Sequence, residues 1–184
     1  MARTGQRGHD PAAAFTIVRL DSADWSAHRA LRLEMLLDSP EAFWGTYADA
    51  LQLTPDDWRA QLSDDRIVLH ASSAETDEPL GCLVLLLTGY TEDMPLAADE
   101  AILTKIWVRP AARGRGVSAA LVREAAHLAE GMGRPRLLLD VDDSNTAAIR
   151  SYERMGFRPT GSSYPREGTG TCWTEYSAHA AQLR

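Results

Sequence analysis

The stretch Val108-Arg109-Pro110-Ala111-Ala112-Arg113-Gly114-Arg115-Gly116-Val117-Ser118 decides how this chain is organised. An apolar strand is predicted to end at its first residues, a glycine-rich turn follows, and a long amphipathic helix begins at its end. Glycines let backbone N–H groups approach an anion closely, and a helix start adds unpaired N–H donors and the positive end of its dipole. The stretch therefore predicts a cradle for a pyrophosphate. A strand-to-helix turn that uses glycine for geometry alone stays open as the alternative.

The composition favours a single folded domain without a broad basic surface. The chain has 184 residues, 45% of them hydrophobic, and a formal net charge of −7. This length suits one core, so residues 15–184 are predicted to form one domain. The negative charge argues against nucleic acid as a partner. Cys82 and Cys172 lie in apolar runs far apart, which is typical of buried thiols rather than of a disulfide or a metal site, and no metal is expected.

The beginning of the chain and its apolar runs predict no membrane association. Residues 1–14 contain Arg, Gly and Pro but no apolar stretch typical of a signal peptide, so we expect a disordered leader. The longest apolar run, residues 80–87, is far shorter than the ~20 residues that span a bilayer. We therefore expect a soluble, cytoplasmic protein.

The predicted elements alternate as in a mixed α/β domain. Strands are predicted at 15–20, 67–71, 80–90, 100–108, 137–141, 158–164 and 171–177. Helices are predicted at 21–38, 54–62, 118–132 and 143–155, with a further short segment at 41–51. The strand at 137–141 is almost continuously apolar, which predicts a central strand covered on both faces.

Two motifs then identify a family resemblance. Arg113, Gly116 and Ser118 fall in an Arg-x-x-Gly-x-Gly-like signature, which resembles the acyl-CoA turn of the GCN5-related N-acetyltransferases (GNATs). A second family pattern, Val-x-x-x-Asn-x-x-Ala-x-x-x-Tyr-x-x-x-Gly-Phe, is matched by Val141, Asn145, Ala148, Tyr152, Gly156 and Phe157. Ser118 departs from the usual Gly or Ala of the turn, and we expect a weakened or altered phosphate contact at most.

The resemblance implies a fold, a co-substrate and a reaction. The fold would be of the α/β (α+β) class: a mixed, mostly antiparallel sheet of six or seven strands with helices on both faces and splayed central strands. Acetyl-CoA would donate an acetyl group directly to an amine, without a covalent enzyme intermediate. The residues expected to contact acetyl-CoA are Ile106, Trp107, Val108, Arg113, Gly114, Arg115, Gly116, Val117, Ser118, Asn145 and Tyr152.

Catalytic roles are carried over from the resemblance to matching positions. Asn145 and Tyr152 are seven residues apart on one predicted helix, hence on the same face about 10 Å apart. The resemblance implies that the Asn145 side chain bonds the pantetheine arm and that Tyr152 protonates the leaving thiolate. The alternatives are a helix cap for Asn145 and a core tyrosine for Tyr152. Glu100, thirteen residues before Arg113, is the favoured general base, as in some histone-acetylating members; an acid that merely ends the loop before the strand is the alternative.

The acceptor is the least specified part of the prediction. Acids and aromatic rings suit a cationic amine, and we expect an acceptor surface that includes Glu34, Asp38, Trp44, Tyr47, Tyr90 and Tyr164. Trp44 and Tyr47 packing only the helix connection is the alternative. A small-molecule amine is the favoured acceptor. A protein N-terminus or lysine, and a non-catalytic acyl-CoA-binding regulatory domain, are the alternative functions, and a homodimer through edge strands stays open.

Overall fold

The computed structural model describes residues 14–91 and 93–183, so the expected leader at 1–14 lies outside the described residues except for Ala14. These residues form a seven-stranded sheet in the order β1-β2-β3-β4-β5-β7-β6. The strands are β1 (Phe15–Arg19), β2 (Arg66–Ser73), β3 (Pro79–Leu86), β4 (Glu100–Val108), β5 (Arg136–Asp142), β6 (Arg158–Pro165) and β7 (Cys172–His179). The helices are α1 (Trp25–Asp38), α2 (Tyr47–Gln52), α3 (Pro55–Ala60), α4 (Val117–Gly131) and α5 (Thr146–Met155).

The sheet is antiparallel at every pair except β4 and β5, which run parallel. Their register begins at Glu100 opposite Arg136 and ends at Ile102 opposite Leu138, although both strands continue for several residues. The two strands therefore diverge in the middle of the sheet. The expected fold class, with its splayed central strands, is confirmed.

Alternation along the strands sends two sets of side chains to opposite faces of the sheet. Leu69, Leu85, Leu103 and Leu139 face one way and form the main core with α4, where Leu121 is fully buried. The partly buried apolar residues of α5 pack against the same core. Burying each of these leucines contributes about 1.5–3 kcal/mol, so this layer anchors the helix start that follows the glycine-rich turn.

The other face of the sheet is covered by the first helices. Met35 of α1 packs with Cys82 and Trp107, and Trp58 of α3 packs with Leu36 in a neighbouring cluster. Cys82 and Cys172 are both free thiols. Among residues 14–91 and 93–183, no helix is long and apolar enough to cross a membrane.

One sequence expectation about the strands needs correction, and another is confirmed. The strand predicted at 80–90 ends at Leu86, because the chain turns at Gly89, where a Cβ would lie 1.7 Å from the Met94 carbonyl oxygen. β5 is central and covered on both faces, as expected. Leu139 and Val141 enter the main core, and Leu138 packs on the other face in a second cluster with Val68 and Ile102.

Candidate active site

A cavity of about 480 Å³ lies where β4 and β5 separate. The consecutive residues Leu139, Asp140, Val141 and Asp142 all line it. Because consecutive strand residues point to opposite faces, the cavity reaches both sides of the sheet. Missing strand pairing thus creates an opening between the two strands.

Beside this cavity, the glycine-rich turn has the backbone geometry of an anion cradle. Gly114 and Gly116 have φ values of 74° and 81°, in the left-handed region that glycine adopts at little cost, and open space surrounds the position of a Cβ at each. Gly116 caps α4 without a side-chain hydrogen bond. The first N–H groups of α4 therefore have no intrahelical acceptor and face a groove that Ser118, Ser151 and Arg154 also line.

The Arg113 side chain braces the turn internally. Its Nε donates to the Val108 carbonyl oxygen at 2.9 Å, and its guanidinium pairs with Asp38, which also accepts from Trp107 Nε1 at 2.8 Å. Burial opposes ionisation of Asp38, but hydrogen bonds from Ser39, Trp107 and Arg113 outweigh it and lower the pKa of that carboxyl. The charge of Arg113 is therefore balanced locally. Arg115 is exposed and has no ion pair within the described part of the chain, so its charge is available to a phosphate, as is that of Arg154, which lines the groove.

The end of β4 offers backbone groups to a ligand. The β3 register continues to Val108 opposite Gly81, as expected from Pro110, whereas the β5 register has already ended at Ile102. A register shift lies between Cys82 and Val84, and Lys105 in the facing part of β4 has a φ of 53°. The β5-facing edge of β4 beyond Ile102, which includes Ile106, is therefore unpaired along the cavity.

On α5, Asn145 and Tyr152 of the second motif both line the cavity. Asn145 caps the helix, since its Oδ1 accepts from Ala148 N at 3.1 Å, and it also lines the cavity, so its side-chain NH₂ is left to donate. The Tyr152 ring packs edge-on against Phe157 at 6.1 Å between ring centroids. Burial raises the pKa of Tyr152 to about 12, so its hydroxyl keeps its proton throughout the physiological range.

Asp140 is a cavity carboxylate that sequence reasoning missed. Burial raises the pKa of this carboxyl, while the nearby hydroxyls of Tyr90 and Tyr164 partly oppose that rise. The Tyr164 hydroxyl is buried without a hydrogen bond of normal geometry, yet it lies close enough to Asp140 to influence it. The signal was an acid within the run Leu137-Leu138-Leu139-Asp140-Val141. The apolar appearance of that run concealed it.

Asp142, the next carboxylate on the same face, is already engaged by protein groups. It pairs with Arg166 at 2.6 Å and accepts from Thr171 Oγ1 at 2.9 Å. Burial would raise the pKa of Asp142, but hydrogen bonds from Ser144, Arg166 and Thr171 hold it well below its usual range. Asp142 therefore stabilises the cavity wall, and Asp140 is better placed to exchange a proton.

Glu100 is not brought to the cavity. It lies at the beginning of β4, where β4 and β5 are still paired, and its carboxylate contacts Arg136 at 3.0 Å and accepts from Ala97 N. The opening forms only beyond Ile102. This placement corrects the expectation that Glu100 is the general base and agrees with the alternative, an acid that ends the preceding loop.

The expected acceptor residues divide into two groups. Trp44 and Tyr90 line the cavity with ring centroids 5.2 Å apart, and Tyr164 lies edge-on to Trp44 at 6.4 Å. Glu34 is instead held by Arg109 through two contacts of 2.7 Å, and Tyr47 packs in the Leu36 and Trp58 cluster. The expectation for Glu34 and Tyr47 is therefore corrected, because each is occupied in a structural contact outside the cavity.

The sequence of this chain is similar to those of known acetyltransferases. A model of the acetyltransferase (GNAT) family matches residues 30–157. The chain is 30% identical to a mycothiol acetyltransferase from Rhodococcus erythropolis over 144 residues. These aligned residues make up 77% of this chain and 42% of that relative. It is also 30% identical to the peptidyl-lysine N-acetyltransferase YjaB from Salmonella typhimurium, over 66% of this chain and 77% of YjaB.

Solved structures share the fold at low sequence identity. The yncA protein from Salmonella typhimurium, solved with its cofactor acetyl-CoA, superposes with a TM-score of 0.69 at 18% identity, over 90% of this chain and 94% of yncA. The chain spans less than half the length of the mycothiol acetyltransferase, so that enzyme's activity is not carried over as a whole.

Proposed function

Because the chain belongs to the acetyltransferase (GNAT) family, we propose that it transfers an acetyl group from acetyl-CoA directly to a primary amine of a small molecule. The observation that carries the proposal is the opening between β4 and β5, which Tyr152 and Asp140 both line. A proton donor and a proton acceptor thus flank a space that is reached from both faces of the sheet.

The residues present fit acetyl-CoA. The unpaired N–H groups at the start of α4, with Arg115, would hold the pyrophosphate. The β5-facing edge of β4 at Ile106–Val108, where the Val108 carbonyl oxygen already accepts from Arg113, and the Asn145 side chain would hydrogen-bond the amide-bearing arm, as in the addition of a further strand. Acetyl-CoA supplies, when bound, a thioester whose carbonyl carbon an amine can attack.

Two protein groups would then manage the protons. Asp140 takes a proton from the attacking amine, which needs a neutral nitrogen, and its raised pKa makes it a stronger proton acceptor than an exposed carboxylate. Tyr152 donates its hydroxyl proton to the sulfur as the carbon–sulfur bond breaks and the carbon–nitrogen bond forms. The opening also holds the two reactants together, which by itself accounts for a large part of such rate enhancements.

The dimensions of the cavity favour a small acceptor over a peptide. Its volume of about 480 Å³ lies within the typical range for small-molecule sites, and Trp44 and Tyr90 provide an aromatic wall. Cytoplasmic location and a homodimer through the exposed edge at β6 stay predictions.

The test is thiol release from acetyl-CoA with a panel of small amines and lysine-containing peptides. Tyr152→Phe and Asp140→Asn are each expected to lower kcat by about 100-fold, since general acid–base contributions are typically of that size, with an unchanged KM for acetyl-CoA. Glu100→Gln is the matched control and is expected to retain activity.

Three results would contradict parts of the proposal. Turnover of peptides alone would favour the protein-acetylating alternative. Saturable binding of acetyl-CoA without turnover of any acceptor would favour the non-catalytic alternative. Full activity of Asp140→Asn, with the chemical step shown to limit the rate, would remove Asp140 from the base role.

A further inference from the structure

One end of the cavity is lined by three cationic side chains from separate elements: Arg32 of α1, Arg66 of β2 and Lys105 of β4. We call this set the cationic end. Within residues 14–91 and 93–183, none of the three forms an ion pair with a carboxylate. Only 8% of Arg32 is exposed, and Nε of Arg66 is buried without a hydrogen-bond partner.

The contacts that these side chains do make leave their charge uncompensated. Arg32 donates to the Met35 sulfur at 3.4 Å and lies over the Phe43 ring at 5.1 Å from its centroid. Asp65 favours the charged form of Arg66 electrostatically, but it is exposed at the rim, and its carboxylate accepts from Ser63 Oγ. A polarisable sulfur and a ring face are weak partners for a buried guanidinium.

An arrangement of this kind is costly unless an anion completes it. Burial lowers the pKa of Arg32 to about 10 and also lowers that of Arg66. Burial, and after it the charges of Arg66 and Arg32, lower the pKa of Lys105 well below its usual range. Buried charges in proteins are ordinarily paired, so two neighbouring guanidiniums and a lysine amine without a carboxylate form a set that an anion would complete.

We infer that the cationic end binds a carboxylate or phosphate group carried by the amine acceptor, so that the preferred substrates are amines bearing an anionic group. The inference rests on the proposed function, because it assigns the acceptor of the same site. It also changes the sequence expectation, which relied on acids and aromatic rings to attract a cation.

The distribution of charge across the cavity determines the orientation in which such an acceptor binds. Asp140 lies on the β5 side, next to Tyr90 and Tyr164, whereas Arg66 and Lys105 lie on the β2 and β4 side. A molecule with an amine at one end and an anion at the other is therefore held with its amine toward Asp140 and the strand opening. An acceptor without the anion lacks this constraint.

The experiment compares matched acceptors that differ only in the anion. Amino acids are assayed against their carboxamides, and aminoalkyl phosphates against the corresponding amino alcohols, which separates carboxylate from phosphate. We expect kcat/KM for one anionic series to exceed that of its neutral partner by about 10- to 100-fold, the usual size of a charge-assisted hydrogen bond.

Variants locate the effect at the cationic end. Arg66→Gln is expected to abolish the preference by lowering kcat/KM for the anionic acceptor alone, with the neutral acceptor and the KM for acetyl-CoA unchanged. Arg66→Lys should retain part of the preference, which separates loss of charge from misfolding. Arg123→Gln, at an exposed arginine of α4 outside the cavity, is the matched control.

A binding measurement keeps this inference separable from the proposed function. Calorimetric titration with inorganic phosphate and with acetate should show saturable binding to the wild-type protein that Arg66→Gln loses, whether or not transfer occurs. Acetyl transfer with equal kcat/KM for anionic and neutral acceptors would overturn the inference while leaving the proposed function intact. If no acceptor is acetylated, the proposed function fails, and the absence of saturable anion binding would overturn this inference as well.

Discussion

The buried histidine pair His28 and His70 should make the stability of this protein strongly dependent on pH. Each is only 2% exposed, and their ring centroids are 5.8 Å apart. Both nitrogens of His28 and Nε2 of His70 have no hydrogen-bond partner within the described residues. Burial, followed by His70 and nearby cations, lowers the pKa of His28 to about 3, and burial lowers that of His70 to about 4.

The sign and size of the effect follow from these values. An unfolded histidine has a pKa of about 6.5, so the unfolded chain takes up protons at a pH at which the folded protein does not. The stability contribution is therefore complete above pH 6.5 and is lost as the pH falls toward the folded values. At pH 5 each unfolded histidine gains about 2 kcal/mol from protonation, so the pair reduces the free energy of unfolding by about 4 kcal/mol.

Urea unfolding at pH 7.5 and at pH 5 measures this difference. His28→Leu and His70→Leu should each remove about half of the pH dependence, whatever their effect at pH 7.5, and the double variant should remove most of it. His127→Gln, at an exposed position on α4, is the matched control. The same decline from pH 7.5 to pH 5 in the double variant and the wild type would refute the reasoning.

Three further predictions concern the elements that shape the site. Gly116→Ala should destabilise the protein by about 1 kcal/mol and raise the KM for acetyl-CoA, because φ is 81° there. Gly131→Ala, at a helical glycine with open space around its Cβ position, should do neither. An equal increase in KM in both variants would contradict the proposal that the turn at Gly116 binds acetyl-CoA. Asp38→Asn should weaken the Arg113 and Trp107 contacts and lower acetyl-CoA affinity in a direct titration, whereas unchanged affinity would show that the turn holds its shape without the brace. Asp142→Asn should cost about 3–5 kcal/mol in urea unfolding, because it leaves the largely buried Arg166 without its partner; a loss below 1 kcal/mol would show that Arg166 finds water instead.

Local sequence was sufficient to predict those parts of the candidate site that consist of residues close together in the chain. The turn at Gly114 and Gly116 depends on backbone conformations that glycine itself favours, so the cradle and the start of α4 were readable directly. The seven-residue spacing of Asn145 and Tyr152 places both on one helix face whatever surrounds the helix. Helical periodicity thus predicted the relative positions of the two α5 residues that we assign to acetyl-CoA.

The acceptor half depended on which strands pair, and for how far. Glu100 and Asp140 are both acids on neighbouring parallel strands, yet only Asp140 reaches the cavity, because pairing ends at Ile102 and the strands open beyond it. No local pattern marks that point. Arg109 likewise donates hydrogen bonds to Glu34, 75 positions away in the chain, so Glu34 is not free to contact an acceptor as expected.

The sequence by itself determined the family, through its two motifs. It also determined the order of the elements, the glycine-rich turn and the position of Tyr152 on α5, because these depend on short-range conformational preferences. Only the tertiary structure decided that Asp140, and not Glu100, lines the same cavity as Tyr152 and that Arg32, Arg66 and Lys105 also line it. The physical reason is that the direction of a strand side chain depends on register, and the charge around it depends on residues distant in the chain. The proposed contacts to acetyl-CoA thus depend on local geometry, and the proposed contacts to the acceptor on long-range packing.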